Sequence, residues 1–126
     1  MNPNRYAHVI QLQLDKVGEY KRLHAAVWPE VLAQIRQSNI RNYSIPLRKL
    51  PDGGLYLFSY FEYVGADYAA DMATMAADAK TQEWWAVCKP CQKPLPDADA
   101  DAGAGADAGA GAGEWWADME EVFHAD

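Results

Sequence analysis

Cysteine is scarce in this chain: among 126 residues only Cys88 and Cys91 carry a thiol. Two thiols three residues apart cannot build the disulfide framework on which small secreted domains rely. Cations are also few, with 11 Lys and Arg against 18 Asp and Glu and a formal net charge of −7. They are scattered from Arg5 to Lys93 and never cluster beyond pairs such as Lys21-Arg22 or Arg48-Lys49. Phosphate binding needs clustered Lys and Arg, which argues against nucleic acid as a partner. No stretch approaches the ~20 apolar residues of a membrane span. Residues 1–5 lack the apolar core of a signal peptide, and the expected location is the cytoplasm. The three histidines, His8, His24 and His124, have no metal-ligand spacing. Cys88-Lys89-Pro90-Cys91 is formally a C-x-x-C, yet zinc would need two further ligands. A thioredoxin-type site wants a helix starting at the first Cys, whereas this motif falls at a helix end with Pro94 following. The expectation is no metal and no redox role. The glycines at 103, 105, 109, 111 and 113 lack the strand–turn–helix setting of a phosphate-cradling loop.

What is present is a well-apolar chain, 50% hydrophobic and 12% aromatic, long enough for one domain with its own core. Tyr6 to Leu14 reads as a strand, with Gln11 and Gln13 alternating against Leu12 and Leu14. Asp15 stands where a helix cap is wanted. Helical spacing follows through Val17, Tyr20, Leu23, His24, Val27, Trp28, Val31, Leu32 and Ile35. Pro29 interrupts it, and the preferred reading is a break at Ala26-Val27 with Pro29 in the first turn of a second helix. Arg41 to Leu50 reads as an edge strand containing Pro46. Pro51-Asp52-Gly53-Gly54 is a hairpin turn, and Leu55 to Tyr63 is the return strand. A helix opened by Gly65-Ala66-Asp67 has Tyr68, Met72, Met75 and Ala79 on one face. Another begins near Thr81, carries Trp84-Trp85 and ends before Pro90 and Pro94. Met119 to His124 is the expected last strand, on which Glu120 and Glu121 point to opposite faces and form no acid pair.

Between these lies Asp97–Gly113, built only from Asp, Ala and Gly. It has no large side chain to bury and is expected to be a flexible insertion within a single domain spanning 1–126. Asp97, Asp99, Asp101 and Asp107 place more than half of the net charge there. The order β-α-β-β-α-β is the ferredoxin-like arrangement, an α+β antiparallel sheet with helices on one face. The other face needs a cover, and a second copy of the chain in a dimeric α+β barrel is the expected one.

Two constellations are candidates for chemistry, against the plainer readings of Tyr20 and His24 as core-edge residues and of Trp84 and Trp85 as core and dimer interface. Tyr20 and His24 are four apart and share a helix face, pairing a hydroxyl with a group that titrates near neutrality. Trp84 and Trp85 are about 100° apart on a helix, so one is expected to line a cleft where an indole packs on the apolar face of a sugar. Trp115-Trp116 is read as packing or as part of a lid. Three function classes fit such residues: an enzyme acting on a small sugar, a non-catalytic sugar-binding module, and an oxygenase or haem-handling protein using His24 as an axial ligand.

At these residues the sequence resembles the L-rhamnose mutarotase family. The matching segments are Tyr20-Lys-Arg-Leu-His24, Val27-Trp28-Pro29-Glu30-Val31-Leu32 and Ile40-Arg41-Asn42-Tyr43-Ser44-Ile45, then Thr81-Gln82-Glu83-Trp84-Trp85 and Glu120-Glu121-Val122-Phe123. They run in order through nearly the whole chain outside the Asp/Ala/Gly tract. The resemblance implies a cofactor-free homodimer that interconverts the α and β anomers of a 6-deoxy sugar such as L-rhamnose or L-fucose. It implies His24 as the proton donor, and Tyr20, Tyr43, Trp84 and Trp85 as the residues contacting the monosaccharide. The chain departs from the family pattern in its long tract and in His124, where better-known members have Tyr; the preferred sugar stays open.

Overall fold

A computed structural model describes residues 4–96 and 115–126; the Asp97–Gly113 tract lies outside the described residues. The first strand, β1, runs Asn4–Leu12, two residues earlier than its pattern suggests. Its pairing with the Leu55–Tyr63 strand ends at Leu12↔Leu55. The Gln13 amide donates to the Cys91 carbonyl at 2.7 Å, in line with the register to Gln92, and a single 3-10 turn, Leu14–Lys16, takes over. Asp15 sits inside that turn and makes no cap bond to α1, Val17–Ala25. The break before Pro29 is as expected: α2 runs Pro29–Gln37 with the proline in its first turn, where its missing N–H costs nothing. Asn39, at φ 66°, takes the left-handed position beyond the end of α2.

The second strand of the sequence reading is two strands. β2 is Ile40–Ser44 and β3 is Leu47–Lys49, both antiparallel to β4, Leu55–Tyr63. Pro46 separates them because it cannot donate to a ladder, although its carbonyl still accepts from Phe58 at 2.8 Å. Gly53, at φ 89°, supplies the left-handed residue of the β3–β4 turn. Asp67 caps α3, Tyr68–Ala77, by accepting from the Ala70 amide. Asp78 ends α3 and caps α4, Ala79–Cys88, so Ala79 falls in the second of two helices rather than on the α3 face.

The sheet is built on the β1–β4 pair, which is in register from Asn4↔Tyr63 to Leu12↔Leu55. β2 and β3 lie along the outer side of β4; β5, Gln92–Lys93, and β6, Ala117–Met119, lie along β1. Each edge strand is thus broken in two, but the βαββαβ order and the ferredoxin-like α+β fold stand. The core forms between one sheet face and the helices. Ile10, Leu57 and Phe61 from the sheet meet Tyr20, Val31, Met72, Met75, Trp84 and Trp85, and Trp116 is fully buried with them. The Tyr63 hydroxyl donates to Asp71, which also accepts from Asn39, tying β4 to α3 and to the end of α2.

The final strand differs from expectation. It is Ala117–Met119, and residues 120–126 continue outside the ladder. Val122 and Phe123 are 88% and 81% exposed, so the apolar pair that suggested a strand finds no core within one chain. Glu121 nevertheless stays beside β1, in an ion pair with Arg5 at 2.7 Å. On β6 itself Asp118 meets the buried His8 of β1 at 3.1 Å. Among the described residues no helix is long and apolar enough to cross a membrane.

Candidate active site

A cavity of about 330 Å³ opens between α1, α2, α4 and the β2 edge of the sheet, within the size range of small-molecule sites. Tyr20, His24, Tyr43, Trp84 and Trp85 all line it, together with Thr81, Cys88 and Gln92 and an apolar wall that includes Val27, Val31 and Ile45. All five residues singled out in the sequence are therefore brought to one place. A second, more open cleft of about 450 Å³ lies along β1 and β6, where Arg5 and His8 are each already paired with a carboxylate. Its aromatic lining is Tyr6, Tyr60 and Tyr68, with Tyr6 and Tyr68 stacked on each other at 4.3 Å, and it includes no indole.

Helix α1 supplies the titratable group. With Tyr20 and His24 one turn apart, their rings stack at 4.1 Å between centroids, and Trp84 closes on the imidazole edge-on at 5.3 Å. His24 Nδ1 lies 2.9 Å from the Tyr20 carbonyl oxygen. A carbonyl only accepts, so Nδ1 carries a hydrogen, and in the neutral ring the lone pair is on Nε2. Burial lowers the His24 pKa from its ordinary value, opposed by the bond to that carbonyl. The ring is thus predominantly neutral at pH 7, with Nε2 as its basic nitrogen.

Helix α4 supplies the aromatic floor. Asp78 accepts from both the amide and the hydroxyl of Thr81, at 2.9 and 2.8 Å, and so fixes the first turn. Thr81, Trp84, Trp85 and Cys88 then form one stripe at helical spacing, and all four line the cavity. The expectation that only one indole of the pair would face a cleft is corrected here. The centre of the stripe passes between Trp84 and Trp85, so each lies only about 50° to one side. Trp84 also packs edge-on against Trp28 at 5.2 Å, which braces the floor against the start of α2.

Tyr43 reaches the cavity through a bulge. Strict alternation would put Tyr43 on the same sheet face as Arg41, away from the helices. Between Arg41↔Glu62 and Ser44↔Tyr60 the β2 strand has one residue more than β4. Asn42 absorbs it at φ 52°, with its amide on the Glu62 carboxylate at 2.9 Å. That extra residue turns Tyr43 to the core side, edge-on to Phe61 at 5.4 Å.

Gln92 was not singled out in the sequence. It is buried against the Tyr20 hydroxyl at 3.2 Å and the Trp115 indole N–H at 2.7 Å. A glutamine between a proline-flanked motif and an Asp/Ala/Gly tract carries no local signal, because its partners lie far along the chain. Cys88 and Cys91 are buried thiols not joined in a disulfide, and burial pushes the Cys91 thiol up, away from the thiolate that redox chemistry needs. Among the described residues no group of three or more His, Cys, Asp or Glu side chains is placed to hold a metal ion.

The chain matches the family model for L-rhamnose mutarotase over residues 5–125. An L-rhamnose mutarotase of Oceanobacillus iheyensis is 30% identical over 122 residues, covering 97% of this chain and 98% of the relative. One from Lactiplantibacillus plantarum is also 30% identical, with the same coverage of both chains. Among solved structures, the crystal structure of an L-rhamnose mutarotase from Formosa agariphila aligns with a TM-score of 0.67 at 19% identity. It covers 98% of this chain and 99% of that one, and supports the fold.

Proposed function

The chain belongs to the L-rhamnose mutarotase family, and from that premise we propose that it interconverts the α and β anomers of L-rhamnose or a related 6-deoxy sugar in this cavity, with His24 as the proton-transfer group. The observation that carries the assignment of His24 is its setting: a half-buried, neutral imidazole held by Nδ1, ringed by Tyr20 and Trp84, and lining the cavity with Trp85 and Tyr43.

Ring opening breaks the bond between C1 and the ring oxygen while the anomeric O–H loses its proton. The anomeric oxygen and the ring oxygen share C1, so one nitrogen can serve both in turn. Nε2 takes the anomeric proton as the C1 carbonyl forms, and the resulting imidazolium gives that proton to the departing ring oxygen. Rotation about C1–C2 presents the other carbonyl face, and the same transfers in reverse close the ring. No proton is gained or lost, and the balance needs no cofactor. Tyr20 and Tyr43 hold sugar oxygens, while Trp84 and Trp85 pack on apolar C–H faces. A C6 methyl suits that wall, whereas a CH₂OH brings a hydroxyl without a partner, a discrimination of about 1–3 kcal/mol. Saturation-transfer NMR tests the activity. Anomer exchange well above buffer for L-rhamnose and L-fucose, and weaker for glucose and galactose, is expected; equal rates on all four would defeat the aromatic-wall reading.

The direction of the His24 shift gives a pH profile. Because the neutral ring starts the reaction, kcat/KM is expected to rise with pH through a His24 pKa that burial lowers from its ordinary value, and to level off above it. A kcat/KM that falls across the same interval would make imidazolium the starting form and require a separate base.

We further propose a cytoplasmic homodimer acting on a free monosaccharide and not on nucleic acid. Two cysteines only three residues apart and not joined in a disulfide suit a reducing compartment, and the charge of −7 disfavours phosphate backbones. The exposed apolar pair Val122 and Phe123 supports the second copy. Light scattering behind size exclusion should give twice the 14.0 kDa chain mass; a monomer at micromolar concentration would remove the dimer.

A further inference from the structure

Gln92 links two parts of the chain that the tract separates. It is 4% exposed and lines the cavity beside Tyr20. The amide orientation follows from chemistry. An indole N–H only donates, so the group that Trp115 Nε1 meets at 2.7 Å must be the Gln92 carbonyl oxygen. That leaves the Gln92 NH₂ toward the Tyr20 hydroxyl at 3.2 Å, where the amide donates and the hydroxyl oxygen accepts. A hydroxyl has one hydrogen, and here it cannot lie along the bond to Gln92. Trp115 thus sets Gln92, and Gln92 closes one direction to the Tyr20 hydrogen. Lys89, whose ammonium lies 5.1 Å over the Trp115 ring, helps to hold the indole in place.

We propose that Gln92 is a positioning residue: held by Trp115, it makes Tyr20 face the sugar as a hydrogen-bond donor, so that the sugar atom Tyr20 meets is an oxygen lone pair. The proposal rests on the mutarotase reading of the cavity. In a buried site the direction of one hydrogen matters, since an acceptor facing an acceptor leaves two lone pairs unsatisfied. A sugar bound with a hydroxyl hydrogen toward Tyr20 is disfavoured relative to one presenting its ring oxygen or the lone pair of a hydroxyl. The same arrangement makes the residues after the tract part of the site, because Trp115 follows it and Gln92 precedes it.

The test uses Gln92→Glu and Gln92→Leu, each in the wild-type chain and in Tyr20→Phe, with Trp115→Phe as an additional single variant. Anomer-exchange rate and calorimetric Kd for L-rhamnose are read for every protein. Gln92→Glu keeps shape and still accepts from Trp115, but its carboxylate accepts from Tyr20 and captures the hydrogen. It is expected to weaken binding and turnover by about tenfold, at least as much as Gln92→Leu. In Tyr20→Phe the same substitutions should change Kd less than twofold, since no hydroxyl is left to orient. Trp115→Phe, which removes the N–H and keeps a ring, should reproduce part of the Gln92→Leu loss. Equal losses in both Tyr20 backgrounds, or a Gln92→Glu protein that behaves as wild type, would overturn the proposal and leave Gln92 as packing. A wild-type chain that accelerates no anomer exchange would instead overturn the mutarotase reading, with the Kd cycle still reporting on Gln92.

Discussion

His24→Ala is expected to abolish catalysed anomer exchange, cutting the rate on L-rhamnose by at least about a hundredfold, the lower end of what a positioned acid–base group contributes. Binding should survive. Trp84, Trp85, Tyr20 and Tyr43 supply the cavity walls, and none depends on the imidazole for its own backbone placement. The fold should survive too, because the bond from His24 Nδ1 to the Tyr20 carbonyl is additional to the helical ladder of α1. The variant leaves an imidazole-sized gap beside Tyr20 and Trp84, so added imidazole should restore part of the rate, and more at higher pH where it is neutral. Saturation-transfer NMR at matched sugar occupancy separates the possibilities. Wild-type exchange in His24→Ala would remove His24 from the chemistry. Lost exchange together with lost binding would make it a contact for the sugar rather than a proton carrier.

How much of this site is legible in the sequence depends on the range of the interaction. Tyr20 and His24 are related by one helical turn, and spacing alone shows that they share a face. Pro29 and the Pro51–Gly54 turn are equally local, since each acts through its own backbone. The Trp84-Trp85 pair was half legible: the angle between the residues is a property of any helix, but the place of the stripe centre depends on how α4 sits over the cavity. Tyr43 was legible only through family resemblance. Alternation assigns it to the wrong face, and the bulge at Asn42 is settled by cross-strand pairing with β4. Gln92 was illegible, because its two partners are 72 and 23 residues away. The last strand failed for a related reason. Val122 and Phe123 have the composition of a strand, but β1 pairs with Ala117–Met119 and the single chain gives the later residues nothing to pack on.

Trp116→Ala is expected to be among the most destabilising single substitutions, costing about 3–5 kcal/mol. Trp116 is 0% exposed and is among the largest fully buried side chains of the core. It stands immediately before β6, whose Ala117 pairs with Val9 and whose Asp118 meets His8. A cavity at this point therefore empties the core and loosens the strand that closes the β1 edge. The size of the effect decides how the residues after the tract should be regarded. Domains of this size are stable by only about 5–15 kcal/mol, so a loss of this magnitude makes the returning segment an integral part of the fold. Trp116→Phe separates volume from polarity. It keeps most of the buried area and removes an indole N–H that has no partner among the described residues, so its cost should stay below about 1.5 kcal/mol. Urea denaturation of the two variants, followed by circular dichroism, measures both. A Trp116→Ala loss under about 1 kcal/mol would mean that the core closes without the returning segment, and Trp115 could not then hold Gln92 against Tyr20 with the rigidity that the positioning role requires.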